Sequence, residues 1–219
     1  MSTGGGPTQR YGRRRFQTVA AAVLVAVAAG GCAHARTVGQ PPASASAPAA
    51  TASPATPAVS GNPGRFAPQV RRSAGKAGIG AQLLMAILYN ESYKPHDPDL
   101  ERAWQKLDPE AAFGVANMHR ATFDDTKRGR DFADRKWEEL PDDPDLAIEA
   151  AAWYLHDLAA QLPARWPAEY TKDELLALGY NAGPGNMTAF ARGGRPGSVA
   201  QSYLDRLHTN WDAAAQALR

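Results

Sequence analysis

Residues 37–63 constrain the fold of this chain more than any other stretch. They consist almost entirely of Ala, Pro, Ser, Thr, Gly and Val, and they contain no charged and no aromatic residue. Such a segment cannot bury enough apolar surface to offset the conformational entropy that ordering would cost. The sequence therefore predicts a disordered linker over residues 36–76 and confines the folded domain to residues 77–219.

The first 35 residues have the pattern of an export signal. A basic segment around Arg10 and Arg13 precedes a short apolar run from Val19 to Ala29, and small residues follow. The apolar run is shorter than the roughly 20 residues that a membrane-spanning helix needs. Residues 13–16, which read Arg-Arg-Arg-Phe, partly resemble a twin-arginine export motif, and a Sec-type signal is the alternative. We therefore predict a signal peptide over residues 1–35 and an exported protein.

Cys32 is the only cysteine, and it directly follows Ala-Gly-Gly at residues 29–31. This position after the apolar run resembles the lipobox of bacterial lipoproteins. It predicts lipidation of Cys32 and an anchor on the outer face of the cytoplasmic membrane or in the cell wall. The alternative is an ordinary signal cleaved after Ala35, which would leave a secreted protein. A single cysteine forms no intramolecular disulfide, so the fold must be held together by packing.

The charge distribution argues against nucleic acid as a partner. Residues 1–64 contain five of the 24 Lys and Arg residues and no Asp or Glu. That leaves 19 basic and 22 acidic residues in the remainder, a net charge of −3. The overall basic character belongs to the leader, whereas nucleic-acid binding needs basic residues clustered on the folded domain.

The periodicity of residues 77–219 is helical nearly throughout, and no run alternates convincingly with period two. Asp97 and Asp143 are each followed by proline, which is typical of the first residues of a helix. Thr171 and Glu174 have the spacing of a capping box. We therefore predict an all-α domain, in which the apolar stripes of the helices include Leu84, Ile87 and Leu88; Leu100, Trp104 and Leu107; Leu146, Trp153, Leu155 and Leu158; and Val199, Tyr203, Leu204, Leu207 and Trp211.

Glu91 is the candidate catalytic acid. It lies four residues after Ile87 and seven after Leu84, so it extends the apolar face of the first helix to its C-terminal end. A carboxyl group at the edge of an apolar face is desolvated, and desolvation raises its pKa. A raised pKa keeps the group protonated near neutral pH, as a general acid requires.

Residues 88–92 read Leu-Tyr-Asn-Glu-Ser, and residues 180–186 read Tyr-Asn-Ala-Gly-Pro-Gly-Asn. The first motif, which contains Glu91, resembles the catalytic-acid motif of the soluble lytic transglycosylases, and the second resembles another signature of that family. Residues 114–117, Gly-Val-Ala-Asn, are similar to the family's Gly-Leu-Met-Gln segment, with Ala and Asn in place of Met and Gln. The resemblance covers about residues 78–190 and implies a lysozyme-like helical domain.

The resemblance implies a peptidoglycan lytic transglycosylase that needs one carboxyl group. Glu91 would protonate the oxygen of the β-1,4 bond between N-acetylmuramic acid and N-acetylglucosamine. It would then take the proton of the muramyl C6 hydroxyl, which closes to a 1,6-anhydro product. Ser92 would hydrogen-bond Glu91 or the sugar, Tyr180 would position the carboxyl group or stabilise developing positive charge, and Asn181 would orient the sugar. The implied substrate-binding residues are Ser92, Gly114, Asn117, Met118, Tyr180 and Asn181.

The resemblance also implies glycan strands as the partner, no cofactor, and a membrane contact only through a lipid anchor; we expect a monomer. Two further functions stay open at this stage. A hydrolytic muramidase like goose-type lysozyme would need a second carboxylate to activate water. A catalytically weak wall-binding lipoprotein would keep only the groove. The candidates for the second carboxylate are Asp97, Asp99, Asp108 and Asp124.

Metal binding is the remaining chemistry that the sequence suggests. His96 lies close to Asp97 and Asp99, and His119 lies near Asp124 and Asp125. Neither cluster has the ligand spacing of a zinc site on one element. We therefore predict solvated loops and no metal site.

Overall fold

The structure, a computed structural model, describes residues 61–166 and 169–219. The predicted signal peptide, Cys32 and most of the predicted linker lie outside the described residues. The described part of the chain contains eight α-helices and two short strands. In chain order they are α1 (Ala67–Ala77), α2 (Ala81–Glu91), α3 (Pro98–Leu107), β1 (Ala112–Phe113), β2 (Met118–His119), α4 (Arg120–Thr126), α5 (Pro144–Gln161), α6 (Lys172–Ala182), α7 (Pro184–Phe190) and α8 (Ser198–Ala217).

The prediction of an all-α domain is confirmed, with a two-stranded antiparallel hairpin as the only sheet among the described residues. Helix α2 is the centre of the packing. It lies along α8 and also contacts α1 and α6, while α5 packs on α1 and α6 from the other side. Eight of the eleven residues of α2 are buried, because the helix is surrounded by its neighbours. None of the helices in the described part of the chain is long and apolar enough to span a bilayer.

The predicted capping residues stand at the helix starts. The Asp97 carboxylate accepts hydrogen bonds from the amides of Asp99 and Leu100, at 3.0 and 3.1 Å. The Asp143 carboxylate accepts one from the amide of Leu146 at 3.0 Å. The predicted capping box opens α6, where each partner binds the main chain of the other. These bonds satisfy amides that a helix start otherwise leaves unpaired.

The prediction of a disordered linker is wrong for residues 61–76. A short 3₁₀ turn (Pro63–Phe66), capped by the Asn62 side chain, leads into α1. The buried side chains of this region include Phe66, Val70 and Ala74, which recur every four residues and pack on the domain. Apart from Phe66 and Val70, the buried residues of this region are small, and they lie in an Ala-, Gly- and Arg-rich background, so composition conceals the stripe. The folded domain therefore begins by Pro63, not at residue 77.

Helix α3 does not bury the apolar stripe that its sequence contains. Leu100, Trp104 and Leu107 are 69%, 54% and 77% exposed, whereas Glu101 and Gln105 are buried. The helix is strongly amphipathic but turns its polar side toward the domain, where Glu101 accepts a hydrogen bond from the Gly114 amide and Gln105 donates to the carbonyl oxygen of Trp137. Val199 of α8 is likewise 75% exposed, since it lies in the first turn, before the packed part of that helix.

Candidate active site

Glu91 is the last residue of α2, and only 8% of its surface is exposed. Both of its carboxyl oxygens accept a hydrogen bond. The Tyr203 hydroxyl donates to Oε1 at 2.7 Å, and the Asn117 Nδ2 donates to Oε2 at 3.1 Å. Burial raises the pKa of Glu91, while these two hydrogen bonds and the charge of Arg206 act in the opposite direction. The effect of burial is the larger one, so the pKa of Glu91 lies above its usual value.

The hairpin that carries Asn117 has a tight turn over residues 114–117. Gly114 has φ of 73°, and a Cβ there would lie 2.8 Å from the carbonyl oxygen of Leu140, so only glycine fits. Asn117 is the one described non-glycine residue with positive φ, at 45°, a conformation that Asn tolerates better than most residues. Its Nδ2 also donates to the main-chain oxygen of Glu91 at 2.9 Å. The turn thus places the side-chain amide of Asn117 against the C-terminal end of α2.

The opposite side of the site is formed by α6 and the turn that follows it. The Tyr180 hydroxyl donates to the carbonyl oxygen of Ala116 at 2.7 Å, which ties the end of α6 to the hairpin turn. Burial and the nearby charge of Glu91 raise the pKa of Tyr180, so the phenol stays protonated. Gly183, with φ of 84°, ends α6 and allows Pro184 to begin α7. The predicted Tyr-Asn turn is therefore a fixed corner of the domain.

Glu91, Asn117, Tyr180 and Asn181 line one open cleft of about 310 Å³. The structure thus brings together the predicted acid and three of the predicted substrate-binding residues. Asn181 is exposed in this cleft, while Glu91 and Asn117 lie at its base. The other residues that line it are Tyr93, Ala112, His119, Tyr203 and Arg206.

Ser92, Gly114 and Met118 do not line this cleft. The Ser92 hydroxyl donates to the carbonyl oxygen of Leu88 at 2.7 Å, one turn back in α2, and not to Glu91, which was one of the two partners predicted for it. Met118 is buried, and its carbonyl oxygen accepts a hydrogen bond from the Trp137 indole at 2.8 Å. Gly114 and Met118 therefore support the hairpin rather than face a ligand.

Tyr203 and Arg206 belong to the site although sequence reasoning did not select them. Tyr203 was expected in the apolar stripe of α8, and its ring is indeed buried, but its hydroxyl reaches Glu91. Arg206 follows three residues later on the same helix and lines the cleft. The available signal was the hydroxyl group itself, since a buried tyrosine usually needs a hydrogen-bond partner.

The four aspartates proposed as a second carboxylate all have other partners. Asp97 and Asp108 accept hydrogen bonds from main-chain amides just after them, while Asp99 and Asp124 pair with cations three residues further on. None of the four lines the cleft, and Glu91 is the sole carboxylate among the described residues that does. In the described ranges, no three His, Cys, Asp or Glu side chains gather in positions that suit a metal ion.

The family model described as the transglycosylase SLT domain matches residues 69–195, more than half of the chain. The chain therefore belongs to the transglycosylase SLT domain family, as its motifs predicted. Membership agrees with the helical, lysozyme-like architecture and indicates a transglycosylase-type protein that acts on peptidoglycan. No curated protein matches the chain.

Proposed function

We propose that this protein is a peptidoglycan lytic transglycosylase in which Glu91 serves first as the acid and then as the base. The observation that carries this proposal is that Glu91 is the one carboxylate lining the cleft among the described residues. A hydrolase of the usual kind needs two carboxyl groups at the scissile bond. A transglycosylase needs one, because the attacking hydroxyl belongs to the substrate.

The bond that is cleaved joins N-acetylmuramic acid to N-acetylglucosamine. Protonated Glu91 gives its proton to the bridging oxygen, and the bond from that oxygen to the muramyl C1 breaks. The Glu91 carboxylate then takes the proton of the muramyl C6 hydroxyl, whose oxygen bonds to C1. The product is a 1,6-anhydro sugar, and no water is consumed. A hydroxyl on the same sugar ring attacks with a high effective molarity.

The contacts around Glu91 suit both halves of this cycle. Burial raises the pKa of Glu91, which favours the protonated form that begins the reaction. After proton transfer, the Tyr203 hydroxyl and the Asn117 amide donate to the carboxylate, and the positive charge of Arg206 favours it. We propose that the exposed amide of Asn181 orients the sugar across the cleft.

The hydrolytic alternative is less well supported. A muramidase requires a carboxylate that activates water on the opposite face of the sugar. Each of the four aspartates considered for that role instead caps a turn or pairs with a cation, and lies away from the lining of the cleft. A purely wall-binding role leaves unexplained why the Glu91 carboxyl group is buried and bonded on both oxygens.

The test is digestion of purified sacculi by the full-length protein, with the products read by mass spectrometry. We expect fragments with anhydromuramic ends. Glu91→Gln is expected to lower their rate of release by about 10²- to 10⁴-fold, the usual contribution of a general acid. Asp124→Asn, which removes an exposed carboxylate outside the cleft, is the matched control and is expected to retain activity. Reducing muramic ends would indicate a muramidase, and no release would indicate a wall-binding protein.

We also propose that the protein works outside the cytoplasmic membrane, where its substrate lies, and that Cys32 carries a lipid. The support is the basic and apolar leader followed by Ala-Gly-Gly-Cys. Labelling cells with a radioactive fatty acid is expected to mark the wild-type protein and not Cys32→Ser. Label that persists in the variant would rule out this anchor, and an unlabelled exported protein would support the secreted form.

A further inference from the structure

A second buried glutamate, Glu101, contacts the hairpin of β1 and β2 that carries Asn117. Glu101 of α3 is 6% exposed, and each of its carboxyl oxygens has a partner. Oε1 lies 2.9 Å from the Nδ1 of His96, which is also buried, and Oε2 accepts a hydrogen bond from the Gly114 amide at 2.8 Å. Glu101 is not among the residues that line the cleft, so it cannot be explained as a second catalytic carboxylate.

The contacts of Glu101 continue, one bond at a time, to Glu91. Gly114 is the first residue of the hairpin turn, and its carbonyl oxygen accepts a hydrogen bond from the main-chain N–H of Asn117 at 2.9 Å. The Asn117 side chain then donates to both the main chain and the carboxyl group of Glu91. The turn is therefore held at its first amide by Glu101 and at the carbonyl of Ala116 by Tyr180.

These polar contacts accompany an unusual orientation of α3. An amphipathic helix ordinarily turns its apolar stripe toward the core. Here Leu100, Trp104 and Leu107 face outward, while Glu101 reaches Gly114 and Gln105 Nε2 reaches the carbonyl oxygen of Trp137. Departures from local sequence rules concentrate at functional sites, where another requirement outweighs the usual preference.

We propose that Glu101, oriented by His96, is a positioning residue that holds the turn of residues 114–117 so that Asn117 meets the Glu91 carboxyl group. The inference rests on the proposed role of Glu91, but it assigns a function to a residue outside the cleft. Because the Asn117 hydrogen bond lowers the pKa of Glu91, a loosened turn would let that pKa rise further. It would also misplace the acid relative to the bond it protonates.

The experiment compares the full-length wild-type protein with Glu101→Ala, Glu101→Gln and Gln105→Ala. Gln105 is the matched control, because it is 7% exposed on the same face of α3 but donates to the main-chain carbonyl oxygen of Trp137 and not to the turn of residues 114–117. Hydrogen exchange of the hairpin amides and the NMR titration of Glu91 are measured without substrate. The kcat and KM for sacculus fragments are measured separately.

In Glu101→Ala, we expect the hairpin amides to exchange about tenfold faster, because the Gly114 amide loses its acceptor. The Glu91 titration moves to higher pH, and kcat falls by about 10- to 100-fold while KM stays within about twofold. Glu101→Gln keeps one acceptor for the Gly114 amide, so its exchange rates, Glu91 titration and kcat should lie between those of the wild type and those of Glu101→Ala. This milder variant preserves the test if Glu101→Ala does not fold. Gln105→Ala leaves the Glu91 titration unchanged.

The positioning role is rejected if folded Glu101 variants keep wild-type hairpin exchange and Glu91 titration. It is also rejected if Gln105→Ala changes both to the same extent, since that would indicate general destabilisation. The two substrate-free measurements separate this inference from the proposed function. If the wild-type protein releases no anhydro fragments, the proposed function fails, while exchange and titration still decide whether Glu101 positions Asn117 against Glu91.

Discussion

Helices α2 and α3 flank the loop of residues 92–97 and turn opposite kinds of face toward the domain. Helix α2 buries large apolar side chains and carries Glu91 at its end. Helix α3 exposes its large apolar side chains and buries Glu101 and Gln105. Apolar packing is non-directional and fixes α2 firmly, whereas directional hydrogen bonds fix α3. The proposed acid thus sits on the best-packed helix, and the helix beside it adjusts the hairpin through polar contacts.

The largest effect expected from this comparison concerns leucines on the two helices. Leu84→Ala in α2 should lower the free energy of unfolding by about 2 to 5 kcal/mol, because it leaves a cavity in the core. Leu100→Ala in α3 should change it by less than about 0.5 kcal/mol, because that side chain is exposed. Denaturant titration of both full-length variants measures the difference. An equal cost at Leu100 would show that the apolar face of α3 is covered in solution.

The two buried glutamates should respond in opposite directions at neutral pH. Glu101→Gln is expected to lower the free energy of unfolding by about 1 to 3 kcal/mol, because a neutral amide oxygen replaces the carboxylate oxygen that accepts the hydrogen bond of the Gly114 amide. Glu91→Gln is expected to raise it, since a neutral amide avoids burying a charge. The Gln oxygen can still accept from Asn117, and its NH₂ can donate to the Tyr203 hydroxyl. Thermal unfolding at pH 7 measures both; the comparison fails if Glu91→Gln is the less stable variant.

The increase in the free energy of unfolding that we expect for Glu91→Gln should depend on pH. Burial raises the pKa of Glu91 in the folded state, so between its unfolded and folded values the folded state binds more protons. Stability therefore falls as the pH rises through that window, by about 1.4 kcal/mol per unit of pKa difference. Glu91→Gln should remove this fall and match the wild type below about pH 4. Parallel curves from pH 3.5 to 8 would show that the pKa is not raised.

The smallest effect is expected at Trp104. Trp104→Ser should change the free energy of unfolding by less than about 0.5 kcal/mol, because the side chain is more than half exposed. The fluorescence that the variant lacks, which is the emission of Trp104, should lie at long wavelength and be quenched readily by iodide. A buried Trp137 in the same protein supplies the internal contrast, since its emission should resist quenching. Loss of a quench-resistant component at Trp104 would contradict the outward orientation of α3.

The sequence of 219 residues determined the helical class by itself and predicted the residues of the candidate site. The helical periodicity, the prolines at the helix starts and the capping box are local features of the sequence. They could therefore be identified without knowledge of the tertiary structure. Glu91 was also readable, because it continues the apolar face of its own helix. The Tyr-Asn turn was found by its Gly-Pro-Gly sequence, which only a few backbone conformations accommodate.

Only the tertiary structure decided which polar groups meet. Tyr203 and Glu91 are 112 residues apart in sequence, and Glu101 and Gly114 belong to different elements. A hydrogen bond depends on the relative placement of both partners, which no local pattern contains. The same reason applies to α3: its sequence specifies an amphipathic helix, but the partners of Glu101 and Gln105, which lie in other elements, become visible only in the tertiary structure.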